Sequence, residues 1–174
     1  FVGGGFRIAL ASTHCSLFEL RHRFTLGYVF QPIDLLHDAL VRFFGLAEPR
    51  IAVAALNPHA SEDGRFGDEE HRVIEPAMLM AREAGINVEG PFPADTLFWM
   101  ARGKYDGIVA MYHDQGLIPI KLTAFDSSVN VTLGLSIIRT SVDHGTAFDI
   151  VGRNQASAGS MKEAIKLACH MAAA

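Results

Sequence analysis

Cysteine and clustered positive charge are both scarce in this chain. It has two cysteines in 174 residues, Cys15 and Cys169, far apart. That is too few for a disulfide scaffold and suits reduced thiols in a cytoplasmic protein. Cys15, beside His14, reads as a small packing residue rather than a nucleophile. Lys and Arg number 15 against 19 Asp and Glu, for a net charge of −4. No basic face is concentrated enough to hold a phosphate backbone, which argues against a nucleic-acid partner. No apolar run is long enough to cross a bilayer, so no membrane partner is expected. Repeats and low-complexity linkers are absent apart from an Ala tail. What is there is a globular composition, 49% apolar and 20% charged, sized for one domain or a piece of a larger one. The chain opens Phe1-Val-Gly-Gly-Gly5 without Met, so it is expected to start inside a longer protein.

Apolar runs at Arg7–Ala11, Ile51–Leu56 and Ile108–Tyr112 read as strands covered on both faces. Shorter candidates are Ile86–Val88, Val129–Leu133 and Ile137–Thr140, with Phe24–Phe30 as an extended piece. Helical spacing begins with Pro32 in a first turn, continues through Ile33, Leu36, Leu40 and Phe43, and stops at Gly45. A second helix opens on Asp68-Glu-Glu70, where acid complements the helix dipole. It carries Val73, Ile74, Ala77, Met78 and Ala81 and ends at Gly85. Gly90-Pro-Phe-Pro93 reads as a rigid turn, and Ala94–Arg102 and Ser160–Ala172 as helices. Strands alternating with helices predict an α/β fold with a largely parallel sheet.

His14, His59 and His113 each fall just past one of the long strands. Ligands of open parallel sheets bind beyond the carboxyl ends of the strands. Three imidazoles delivered there would share one metal and leave positions open for substrate. Any one of them alone reads as a hydrogen-bonded loop histidine; the threefold repetition favours a shared site. Imidazole suits Zn, Co, Ni or Fe, and nearby carboxylates would admit Mg or Mn. Asp95 and Asp114 are those carboxylates, as ligands or as groups orienting a histidine; Asp95 reads equally as a helix cap. Lys121, Asn130 and Arg139 lie among apolar residues. They read equally as strand-flanking polar groups or as an anion site, for which Arg139 has the right fork. His144 and Asp149, in a Gly-bearing loop, are a weak signal alone. His22, His37, His71 and His170 are assigned no role.

The stretches Gly3–His14, Asn57-Pro-His-Ala60 with Phe66-Gly67, Gly90–Thr96, Met111-Tyr-His-Asp-Gln-Gly116, Val129–Gly134 and Ile138–Ala147 stand out together. They resemble the 4-hydroxythreonine-4-phosphate dehydrogenase family of pyridoxal phosphate biosynthesis, specifically its C-terminal half. The resemblance implies a fold like that of isocitrate and isopropylmalate dehydrogenases, with a largely parallel sheet, helices on both faces and a truncated N-terminus. Residues 1–120 would form the metal-binding, substrate-binding and dimerisation part. Residues 121–174 would be the returning segment of a nucleotide-binding domain. It also implies a homodimer whose active site is shared between subunits.

By the same resemblance the metal ligands are His14, His59 and His113, and the substrate-binding residues Lys121, Asn130 and Arg139. His144 and Asp149 would bind NAD or NADP. Lys121, Asp114 and Asp95 would be the catalytic side chains, with Lys121 assisting proton transfer. The implied reaction oxidises and decarboxylates 4-hydroxythreonine 4-phosphate to 3-amino-2-oxopropyl phosphate, with one divalent Zn, Co or Mg per site. Paralogous dehydrogenases of threonate or erythronate 4-phosphate, or of a dihydrodiol carboxylate, would use the same machinery, and an inactive fragment is the competing non-enzymatic reading. Three departures bear on the pocket: Ser16 and Ser136 stand where the family usually has Pro, and Arg153-Asn-Gln155 replaces a Lys/Arg-Gly pattern.

Overall fold

The computed structural model describes residues 1–174. The strands are β1 (Val2–Gly3), β2 (Phe6–Leu10), β3 (Ile51–Ala54), β4 (Val88–Phe92), β5 (Gly107–Ala110), β6 (Val129–Thr132) and β7 (Arg139–Val142). The helices are α1 (Leu17–Arg23), α2 (Leu26–Phe44), α3 (Glu75–Glu83), α4 (Ala94–Ala101), α5 (His113–Ala124) and α6 (Gly159–Ala173). All strands join one seven-stranded sheet in the order β4-β3-β5-β2-β1-β6-β7. Strands β4, β3, β5 and β2 pair in parallel. Strands β1, β6 and β7 extend the sheet by antiparallel pairing. The sheet is mixed, with its parallel half where the long apolar runs lie.

Alternation along β3 sends side chains into two cores. Ile51 and Val53 pack with Ile33, Leu36 and Leu40 of α2 and with Ala77 and Met78 of α3. Ala52 and Ala54 pack on the other face with Leu97 of α4 and Ile120 of α5. Helices therefore cover both faces, which is why β3 and β5 are apolar at every position. No helix is long and apolar enough to cross a membrane.

Four local expectations change. Phe24–Phe30 is not extended: α1 ends at Arg23 and α2 starts at Leu26. Fully buried Val29 and Ile33 continue the spacing of Leu36 and Leu40 back by two turns. Pro32 consequently lies inside α2 rather than in its first turn. Gly45 ends that helix as expected, with φ 66°. Gly90-Pro-Phe92 belongs to β4 rather than to a turn. Gly90 has φ 132°, and a Cβ there would meet the Val53 carbonyl oxygen at 2.6 Å, so glycine permits the close approach of β4 to β3. The stretch after His113 is helical despite Gly116 and Pro119.

Candidate active site

Strands β3, β5 and β2 are consecutive parallel neighbours. Their carboxyl ends therefore open along one edge, and each is followed by one of the three histidines. His14 lies in the exposed loop after β2, and His113 is the first residue of α5 after β5. Their ring centres are 5.7 Å apart. A ligating imidazole nitrogen lies about 2.1 Å from zinc, which sets two ring centres on one ion about 5–6 Å apart. His113 Nδ1 and Asp114 Oδ1 are 2.7 Å apart. That bond fixes the tautomer and leaves Nε2 free to ligate.

His59 follows β3 in a short turn, Pro58–Ser61, and sits in the left-handed region at φ 53°. It is exposed, and its ring faces Phe66, with centres 6.2 Å apart. No group of three or more His, Cys, Asp or Glu side chains within the chain can hold a metal ion. One chain thus brings together two of the three expected imidazoles. The donor chemistry fits a divalent metal at His14 and His113, and His59 is not joined to them.

A cavity of about 370 Å³ opens beside this pair. Its polar lining includes His14, His113, Asn130 and Thr132, and its apolar lining includes Leu36 and Phe44. Asn130, on β6, is thereby brought to the histidines from the antiparallel half. Arg139, on β7, is exposed and donates from Nη1 to Thr132 Oγ1 at 2.7 Å. Lys121 Nζ, on the last turn of α5, lies 2.8 Å from Asp143 Oδ2 and also donates to the Asp143 carbonyl. Ser128 Oγ donates to the same carboxylate at 2.5 Å.

His144 lines a second, wider cavity of about 800 Å³ with Phe125, Gln155 and Ser160. Asp149 is exposed in the adjoining 3₁₀ turn Phe148–Ile150 and does not line it. Asp95 is exposed in the first turn of α4, where Pro93 takes the N-cap position. Ser16 caps α1: its Oγ accepts from Glu19 N at 3.2 Å. Ser136 and Arg153-Asn-Gln155 lie in exposed loops.

Buried polar residues at this edge escaped the sequence reading. Glu70, 1% exposed, accepts from Leu56 N at 2.8 Å, Asn57 N at 2.7 Å and Asn57 Nδ2 at 2.9 Å, just before the His59 turn. Gln115 and Ser12 are buried among backbone groups at the ends of β5 and β3. Glu70 looks like one more acid opening a helix, and no local spacing marks the other two.

A family model described as pyridoxal phosphate biosynthetic protein PdxA matches residues 1–168. The 4-hydroxythreonine-4-phosphate dehydrogenase of Geobacter metallireducens is 55% identical over 167 residues, covering 95% of this chain and 49% of the relative. The crystal structure of 4-hydroxythreonine-4-phosphate dehydrogenase from Klebsiella pneumoniae superposes with a TM-score of 0.90 at 44% identity, covering 99% of this chain and 52% of that one. A terephthalate 1,2-cis-dihydrodiol dehydrogenase from Burkholderia xenovorans follows with a TM-score of 0.79 at 36% identity, covering 97% and 54%. The chain spans about half the length of the curated relatives it matches.

Proposed function

The chain belongs to the PdxA family of pyridoxal phosphate biosynthetic proteins, and we propose that it is the histidine-bearing half of a metal-requiring NAD(P)-linked dehydrogenase. The proposed substrate is 4-hydroxythreonine 4-phosphate, oxidised and decarboxylated to 3-amino-2-oxopropyl phosphate in the cytoplasm. The observation that carries this reading is the His14–His113 pair at the ends of adjacent parallel strands, with Asn130 in the same cavity.

In this reading the third imidazole is His59 of the partner subunit in a homodimer, which accounts for the separation of His59 from the pair in its own chain. A bound Zn, Co or Mg ion would supply Lewis-acid polarisation of the substrate hydroxyl, and NAD or NADP the hydride acceptor. Asp114 holds the His113 tautomer that ligates. Lys121 presents an ammonium steadied by Asp143 to the substrate anion and moves a proton from Nζ. Asn130 supplies an amide to the substrate, and the Arg139 fork suits its phosphate. His144 and Asp149 serve the nucleotide, and Asp95 stands as a further carboxylate of the site. Residues 1–120 hold β1–β5 and most of α5, whereas 121–174 hold β6, β7 and α6. The later segment is assigned to the nucleotide-binding domain.

Protein purified without chelators is expected to carry metal that His113→Ala loses, measured as metal content per chain. A folded wild-type chain that takes up neither Zn nor Co overturns the metal reading. NADH formation by the whole-length protein is expected with 4-hydroxythreonine 4-phosphate. Turnover of threonate or erythronate 4-phosphate, or of a cis-dihydrodiol carboxylate, in its place would assign a paralogous substrate. A second reading, a dimerising piece without activity, is favoured by the chain spanning about half the length of its relatives. Failure of NAD to bind a metal-loaded dimer would select it.

A further inference from the structure

We infer that Gln115, together with Ser12 and Glu70, is a positioning residue that locks the three histidine-bearing loops to one another. The backbone ladder between β3 and β5 ends at Val53 and Val109. Beyond it the strands part, as they must for a crevice to open at their carboxyl ends. Gln115, 8% exposed, spans that gap. Its Oε1 accepts from Met111 N at 2.6 Å and its Nε2 donates to the Ala55 carbonyl at 2.7 Å. On the opposite flank Ser12, 3% exposed, donates from Oγ to the Met111 carbonyl at 3.0 Å. The Met111 N–H is therefore held by a side chain of the helix that begins at His113, and its carbonyl accepts from both the hydroxyl and, at 3.2 Å, the backbone N–H of Ser12 in the loop before His14. Glu70 clamps Leu56 and Asn57 directly after Ala55. The three loops are tied in series through Met111 and Ala55.

A satisfied buried polar network of this kind rigidifies its surroundings, and groups orienting metal ligands govern metal affinity about 10- to 100-fold. The functional half of this inference rests on the metal reading above; the mechanical half does not. The test is Gln115→Met, which keeps the volume and removes both bonds, with Ser12→Ala as a milder variant should the first not fold. Amide hydrogen exchange is read residue by residue, and Co²⁺ affinity by titration. Exchange in residues 56–61 and 112–114 is expected to accelerate at least 10-fold while Val53 and Val109 stay as in wild type. Co²⁺ is expected to bind at least 10-fold more weakly. Acceleration spread evenly over the chain, or none, would reduce Gln115 to an ordinary core residue and overturn the inference. Unchanged Co²⁺ affinity in the presence of loosened loops would overturn its functional half. A wild type that binds no Co²⁺ would sink the metal reading, and the exchange pattern would still decide whether the loops are locked.

Discussion

From His59 to Asp63 the backbone passes through five consecutive non-glycine residues with φ between 46° and 68° before Gly64. A left-handed residue costs about 1–2 kcal/mol, so such a run survives only where its surroundings determine it. Here Glu70 anchors its entry and the Phe66 N–H closes on the Ser61 carbonyl at 3.0 Å. Ala60→Gly is expected to raise stability by about 0.5–1 kcal/mol after the added freedom of the unfolded chain is subtracted. A urea midpoint that stays put or falls would refute the strain. Glu70→Gln removes the charge from three bonds and is expected to cost about 1–3 kcal/mol in the same measurement. A loss below a few tenths would mean the clamp contributes nothing. The residues of the site were legible in proportion to how local their signal is. A histidine after an apolar run is visible in ten residues. One partner of Gln115 lies 60 positions away, and two of the three donors to Glu70 are backbone amides, which leave no mark on composition.

Helix α5 carries His113 at its first residue and Lys121 in its last turn, so its seating on the sheet sets the spacing of these two side chains. Its sequence argues against it, because Gly116 and Pro119 are poor helix residues. Packing overrides propensity. A Cβ on Gly116 would meet Leu10 Cδ2 at 2.5 Å, Ile8 Cγ2 at 3.1 Å and Ala110 Cβ at 3.2 Å. The glycine is what lets the helix lie against β2 and β5. Gly116→Ala gains about 1 kcal/mol of helix propensity yet overpacks the contact by about 1–3 kcal/mol. A net loss of about 1 kcal/mol is therefore expected by thermal or urea unfolding, and a stabilised variant would show that the helix has room to lift. The part of α2 after Pro32 and the strands β3 and β5 were legible because each repeats one burial pattern along its length. The misreadings at α5 and β4 share a different cause. At α5 and at β4 the glycines and prolines serve close approach between elements, a tertiary demand that reads locally as a turn.

The two edges of the parallel sheet are fastened by different chemistry. At the carboxyl edge the braces are buried and hold the histidine loops. At the amino edge they are charged and half-exposed: Arg50 Nη2 donates to Glu89 Oε1 at 2.8 Å and Tyr105 OH to Glu89 Oε2 at 2.6 Å. Arg7 Nη1 reaches the Asp106 carbonyl at 3.2 Å. The Arg50 bond, then that from Tyr105, holds the Glu89 carboxyl below its ordinary 4.5. Burial, then the Glu89 bond, pushes Tyr105 up to about 12. The signs follow from which state binds the proton. Glu89 gives up its proton more readily folded than unfolded, so its contribution is present above pH 4.5 and is lost as pH falls below it. Tyr105 keeps its proton more tightly folded, so its contribution is present below pH 10 and is lost as pH rises through about 12. Glu89→Gln removes the first dependence and weakens the second. Because this network lies at the end of the strands away from His14 and His113, the same variant is expected to bind Co²⁺ with wild-type affinity at pH 7. Unfolding curves recorded across pH, beside a Co²⁺ titration, check both halves. A drop in metal affinity from Glu89→Gln would mean that strain travels the length of the strands and that the two edges are not independent.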